Sequence, residues 1–290
     1  MEVAATVVGA GLIVGLVAGI VTYRSRRAHP EDPHVEQGTV RRYLQRHPIV
    51  EKLARRLPQT RGGAFAGGLA AALVIVIGTA IVTGIFVLMV RANGGLVRID
   101  LPIARWAADN ATDTSTTIMR ELSKFGGTLY VVGGAIAITA VTLVHDRRWA
   151  VPLFVFVTMI GQFLVSNSIK WSVERARPDL SNLTGYSGSS FPSGHAVAGA
   201  AAWTCVALLL SRGRSRTVRS VLFGLAIALG VVVAGTRVAL GVHWTTDVTI
   251  GLVIGWAWFV VCALLFGGSH LEPGEPIETA ASDAETASAD

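Results

Sequence analysis

Charge is scarce in this sequence. Asp, Glu, Lys and Arg make up 15% of its 290 residues, against about a quarter in an ordinary soluble domain. Hydrophobic residues make up 51%, and the mean hydropathy is +0.54. This balance excludes a disordered chain and a soluble globular enzyme. Cysteine is nearly missing too: only Cys205 and Cys262 occur, each inside an apolar run. That excludes a disulfide-built secreted module and suits two small buried hydrophobes. No basic residue precedes the first apolar run, whereas Arg24, Arg26 and Arg27 follow it. A cleaved signal peptide carries its positive residues in front, so an uncleaved spanning helix is expected instead.

What the sequence does have is long apolar blocks. A spanning helix needs roughly 20 apolar residues, and seven runs qualify: Val3–Val21, Ala64–Val90, Gly127–Val144, Ala150–Ile169, Ala196–Leu210, Val221–Val242 and Val248–Phe266. The expected fold is therefore all-α: a polytopic membrane bundle with an N-terminal transmembrane helix (residues 1–22) ahead of a membrane-embedded domain (64–266). Between them lies a basic linker (23–63), with a short amphipathic helix expected near Val40–Leu57. The tail from 267 to 290 is rich in Ala, Ser, Glu and Thr, has no Lys or Arg, and is expected to be disordered. Segment Arg91–Gly126 is too polar to span and is expected outside as surface helices. Lys170–Pro192 is expected to be a loop.

The net charge of +6 is not a nucleic-acid signal, because the basic residues are dispersed at the ends of apolar runs. With the N-terminus outside, the inner loops hold 16 of the 25 Lys and Arg residues, which satisfies the positive-inside bias. The same orientation puts Lys170–Pro192 and the junction at His243 together on the outer face of a cell membrane.

Chemistry concentrates at that face. Arg237 interrupts the sixth run about one turn before the outer boundary, where a cation costs about 2.5–3.5 kcal/mol on insertion scales. It either snorkels to lipid phosphate or faces a cavity. His243 follows six residues later and Asp247 four after that. The i, i+4 spacing sets the carboxylate over the imidazole on one helical face, where it fixes the tautomer or serves as a plain structural bond. Ser193 is a candidate N-cap for the fifth helix, and Gly194 and His195 lie on its first turn, where free N–H groups receive anions. Lys170 and Arg177 add two more cations, which interfacial anchoring would also explain. Three cations with no Cys/His ligand cluster suggest a phosphate site without a metal.

Lys170-x6-Arg177-Pro178, Pro192-Ser193-Gly194-His195 and Arg237-x5-His243-x3-Asp247 together resemble the three-part signature of the type-2 phosphatidic acid phosphatases. These lipid phosphate phosphatases are related to vanadium haloperoxidases and glucose-6-phosphatase. The resemblance covers about Gly127 to Phe266, and the family's usual Ser before the third-motif arginine is Thr236 here. It implies a six-helix phosphatase core plus the extra first helix, and no cofactor or metal. It implies that His243 attacks phosphorus and becomes a phosphohistidine, that Asp247 orients it and that His195 protonates the leaving oxygen. Lys170, Arg177, Ser193, Gly194 and Arg237 would hold the phosphoryl oxygens. Two histidines in opposite protonation states imply a bell-shaped pH profile.

The expected function is an integral membrane phosphatase acting on a lipid phosphate or prenyl diphosphate, with membrane lipids as its other partners and no nucleic acid. The oligomeric state leaves no mark in the sequence. A vanadate-dependent haloperoxidase is one alternative, disfavoured by membrane embedding. A non-catalytic lipid-phosphate binder or transporter is another, disfavoured because no polar path crosses the midplane.

Overall fold

A computed structural model describes residues 1–25, 61–147, 149–180 and 183–266. Most of the basic linker, with the amphipathic helix expected in it, and the acidic tail lie outside the described residues. The described chain is all helical, without strands. Its helices are α1 (Glu2–Ser25), α2 (Arg61–Ala92), α3 (Asp100–Asp109), α4 (Asp113–Ser123), α5 (Thr128–Asp146), α6 (Ala150–Val173), α7 (Gly194–Ser211), α8 (Arg216–Ala239) and α9 (Thr245–Leu265). Short 3-10 turns at Gly95–Ile99 and Lys124–Gly126 lead into α3 and out of α4.

Six helices (α1, α2, α6, α7, α8 and α9) are long and apolar enough to cross a membrane. The sequence pattern counts seven. The difference is α5: Thr128–Val144 reaches the required length only when joined to Asp113–Gly126, and the two are bent by 47°. The bend falls at Gly126–Gly127, where the chain leaves α4 and turns down into the bundle.

Helix α7 is the centre of the bundle. It packs against α5, α6, α8 and α9, and its Ala196, Val197, Ala200 and Ala201 are wholly buried. Small residues permit this closeness, because the driving force between helices in lipid is contact rather than exclusion of water. A Cβ on Gly255 of α9 would meet the Val197 carbonyl of α7 and lie 2.7 Å from the Ala200 Cβ. Gly255→Val should therefore overpack this crossing and destabilise the protein by about 1–3 kcal/mol. A lowered melting temperature in detergent checks it; an unchanged one would mean that α7 and α9 are not in backbone contact.

The extra N-terminal helix is not loosely attached. Gly11, Gly15 and Gly19 of α1 lie directly on Gly224, Ala228 and Val232 of α8. At its N-terminal end Val3 and Ala4 pack with Met119 of α4 and with Ala239, Leu240 and Val242 of the third motif. The segment between α2 and α5 likewise does more than lie on the surface: Asp100, Ala104, Ala107, Ser115 and Met119 are buried against the bundle.

Candidate active site

The antiparallel run of α6, α7, α8 and α9 brings the end of α6, the start of α7, the end of α8 and the start of α9 to one end of the bundle. Arg147, Arg212, Arg214, Arg216 and Arg219 sit at the turns of the other end. All eight residues singled out in the three motifs lie at the first of these ends.

The third motif is built by a helix stop. Gly241 adopts φ +71°, the left-handed conformation that glycine takes without penalty. With it in place, Gly241 N–H donates to Val238 O at 2.9 Å and Val242 N–H to Arg237 O at 3.2 Å, a Schellman closure of α8. His243 N–H also donates to Arg237 O at 3.2 Å. The spacing from Arg237 to His243 is thus the length of this closure.

His243 does not share a helical face with Asp247, contrary to the i, i+4 reading. It precedes α9, whose N-cap is Trp244, and Asp247 occupies the third helical position. Asp247 Oδ2 accepts from Trp244 N–H at 2.9 Å and from the Ser190 hydroxyl. Cap geometry rather than helical stacking brings the carboxylate to the imidazole, with His243 Nδ1 3.5 Å from Asp247 Oδ2 and 3.5 Å from Ser190 Oγ. His243 Nε2, on the far side of the ring, lies 3.1 Å from Arg177 Nη1. Burial pulls the His243 imidazole down to about 4, aided by Arg177 and Arg237 and opposed by Asp247. The ring is therefore neutral at pH 7.

The cations surround this ring. Lys170, in the last turn of α6, donates to Ser189 O at 2.8 Å, and its Cε lies 3.8 Å from where a Cβ on Gly194 would stand. Arg177 donates to Val242 O at 2.7 Å, Ser187 O at 2.8 Å and Ser189 O at 3.2 Å. Burial lowers its affinity for its proton while Asp247 and Tyr186 raise it. Arg237 is 5% exposed and donates through Nη1 to Ser123 Oγ at 2.7 Å. Its Nε is buried without a protein partner.

Ser193 caps α7 by its backbone, not its side chain. Its buried hydroxyl has no partner either, and its N–H donates to Asp247 O at 3.1 Å. His195 packs on Gly126 and Gly127, within electrostatic reach of Arg237, His243, Lys170 and Arg177. Thr236 is buried and spends its hydroxyl inside α8 on Val233 O at 2.6 Å. Among the described residues, no three His, Cys, Asp or Glu side chains gather to hold a metal ion.

Four further residues complete the site: Ser123, Ser190, Arg175 and Asp100. Arg175 Nη1 donates to Asp247 Oδ1 at 2.6 Å and its Nη2 to Asp100 Oδ2 at 2.8 Å. Sequence reasoning misses Arg175, whose place two residues before Arg177 and three before Pro178 is the one signal it leaves. Asp100 and Ser123, in a segment that looked merely superficial, carried no signal of their own.

A helical membrane bundle that gathers these residues at one end has known counterparts. Residues 151–270 match the PAP2 superfamily. Over 131 residues the chain is 34% identical to lipid A 1-phosphatase of Rhizobium etli, covering 39% of this chain and 52% of that protein. It is 29% identical over 140 residues to phosphatidylglycerophosphatase B of Bacillus subtilis, covering 48% of this chain and 68% of that one. The chain spans about half the length of the lipid A 1-phosphatases it matches. The crystal structure of a transmembrane PAP2-type phosphatidylglycerolphosphate phosphatase from Bacillus subtilis superposes with a TM-score of 0.58 at 24% identity, covering 63% of this chain and 92% of that one. That likeness is one of fold.

Proposed function

We propose that this chain is an integral membrane phosphatase that hydrolyses a lipid phosphate or a prenyl diphosphate through a phosphohistidine, without a metal. The observation that carries this reading is the pair of buried, unpartnered groups, Arg237 Nε and Ser193 Oγ, beside a neutral imidazole. Buried polar groups are nearly always paired. Among the described residues Arg237 Nε and Ser193 Oγ are two of eight side-chain atoms that are not. They are the two that belong to the named motif residues, and with Lys170 and Arg177 they fit an oxyanion that supplies the missing acceptors.

In the proposed reaction, His243 Nε2 leaves Arg177 and attacks phosphorus while Asp247 holds the proton on Nδ1. The bond from phosphorus to the lipid oxygen breaks, and that oxygen takes a proton from His195, whose protonated form the negative charge of the bound phosphate favours against the surrounding cations. Water, deprotonated by His195, then attacks the phosphohistidine and releases inorganic phosphate, restoring both rings. Lys170, Arg177, Arg237, Ser193 Oγ and the Gly194 N–H stabilise the equatorial oxygens. Such charge stabilisation supplies most of the catalysis in phosphoryl transfer.

The names of the relatives as lipid phosphatases support the substrate class. The basic inner loops support an active site on the extracytoplasmic face of the cell membrane. The domain division proposed is the N-terminal helix, the basic linker, the phosphatase domain at 64–266 and the tail.

The test is phosphate release in detergent with EDTA, comparing prenyl diphosphates with glycerophospholipid phosphates. Release from at least one class is expected, and no release from any would overturn the reading. Because His243 must be neutral to attack, and burial brings it to about 4, activity on the acid side should persist well below pH 6.5 and fall as pH approaches 4. An acid limb centred at 6.5 or above would mean that the attacking base is not this buried ring.

A further inference from the structure

We propose that Asp100 and Arg175 form a positioning relay that sets the charge and orientation of the Asp247–His243 pair, making the segment between α2 and α5 part of the machinery. The proposal rests on His243 being the nucleophile.

Asp100 opens α3, far from all three motifs in sequence, yet it is 2% exposed. Its carboxylate accepts from Arg175 Nη2 at 2.8 Å, from Thr246 N–H at 2.9 Å and from the Thr246 hydroxyl at 2.6 Å. Arg175 reaches the other way, to Thr246 Oγ1 at 2.8 Å and Asp247 Oδ1 at 2.6 Å. Its guanidinium lies 5.5 Å from the centre of the Trp244 ring. The side chains of Arg175, Asp100 and Asp247 are 9%, 3% and 0% exposed, so solvent screens this chain of charges little.

The arrangement has an electrostatic logic. Arg175 alone would draw the negative charge of Asp247 away from the imidazole. Asp100 neutralises Arg175 from the opposite side, leaving Oδ2 of Asp247 for Ser190, Trp244 N–H and His243 Nδ1. The remaining charged and titratable groups facing the pair are Arg177 from the loop after α6, Lys170 from α6, Arg237 from α8 and His195 from α7. All of these are cations or become so. Asp100 thus supplies the counter-charge that this crowd lacks. It also hydrogen-bonds the first turn of α9, so it fixes the position of Asp247 as well as its charge.

Asp100→Asn, Arg175→Gln and Arg175→Lys, assayed as full-length detergent-solubilised protein, test the relay. The two neutral variants should each lose kcat by about 10- to 100-fold, the range for residues that orient a reacting group at one remove, with little change in KM. The acid limb of kcat/KM should move in opposite directions. Removing the anion at 100 disfavours the imidazolium and shifts the limb to lower pH. Removing the cation at 175 favours it and shifts the limb to higher pH. Arg175→Lys, which keeps the charge, should leave the limb in place. A role confined to folding would lower the yield of active protein without moving the limb.

Unmoved limbs, or limbs that move the same way, would overturn the relay, as would full kcat in both neutral variants. If Asp100→Asn does not fold, the contrast between Arg175→Gln and Arg175→Lys decides alone. His243→Ala is measured alongside. If that variant still turns over, the nucleophile reading fails; if it is inactive while the limbs stay fixed, only the relay fails.

Discussion

His243→Ala is expected to lower turnover by about 10⁴-fold or more, the scale on which loss of a nucleophile or of its base falls in covalent hydrolases. Binding should survive. The cations and the Ser193–Gly194 turn do not depend on the imidazole: Lys170 and Arg177 are held by Ser189 O, and Arg237 by Ser123. Inorganic phosphate should still raise the melting temperature of the variant, since a ligand that binds only the native state stabilises it by mass action. This separates the phosphatase from the alternatives. A transporter or simple binder would lose neither transport nor binding, and a different nucleophile would leave turnover intact. Trapping with a labelled lipid phosphate should leave acid-labile label on the wild type and none on the variant. Label on the variant would assign the covalent step elsewhere.

Arg237→Met is expected to have the next largest effect, with the opposite sign on stability. Among the described residues Arg237 has no carboxylate partner, its side chain bonds to Ser123 Oγ alone, and its Nε is unpartnered. A buried cation so poorly compensated is a cost to folding, and a flexible apolar chain of similar length removes that cost. The melting temperature without ligand should hold or rise. Catalysis should fall by about 10³-fold, the lower end for arginines that neutralise a phosphoryl transition state. Phosphate should no longer stabilise the variant as it does the parent. A destabilised variant with normal kcat/KM would show instead that Arg237 serves the bundle and not the anion.

The spans were legible in the sequence because each is a local property, a run of apolar residues ended by arginines or glycines. The third motif was legible for a similar reason. Its six-residue step is the reach of one helix closure at Gly241, so the spacing encodes the geometry directly. What misled was the next step, His243 to Asp247, read as helical stacking. The helix begins only after Trp244, and the same spacing arises from a cap. Asp100 and Ser123 left no pattern, because their partners lie 75 and 114 residues away. Nothing in a run of surface-like polar residues announces that one of them will be buried against an arginine. The third run, Gly127–Val144, makes a seventh span only if the 47° bend that joins it to the preceding helix lies within one crossing, and composition does not show such a bend.

The closure of α8 carries one more implication. A single carbonyl, that of Arg237, receives the N–H groups of both Val242 and His243. One knot of main chain therefore fixes how far the Arg237 backbone stands from that of His243. The stretch from Pro178 to Ser189 meets this knot by main chain, Leu183 N–H donating to Leu240 O at 3.1 Å. Under the proposed function, the separation that governs bond-making is set by main chain and survives side-chain changes around it.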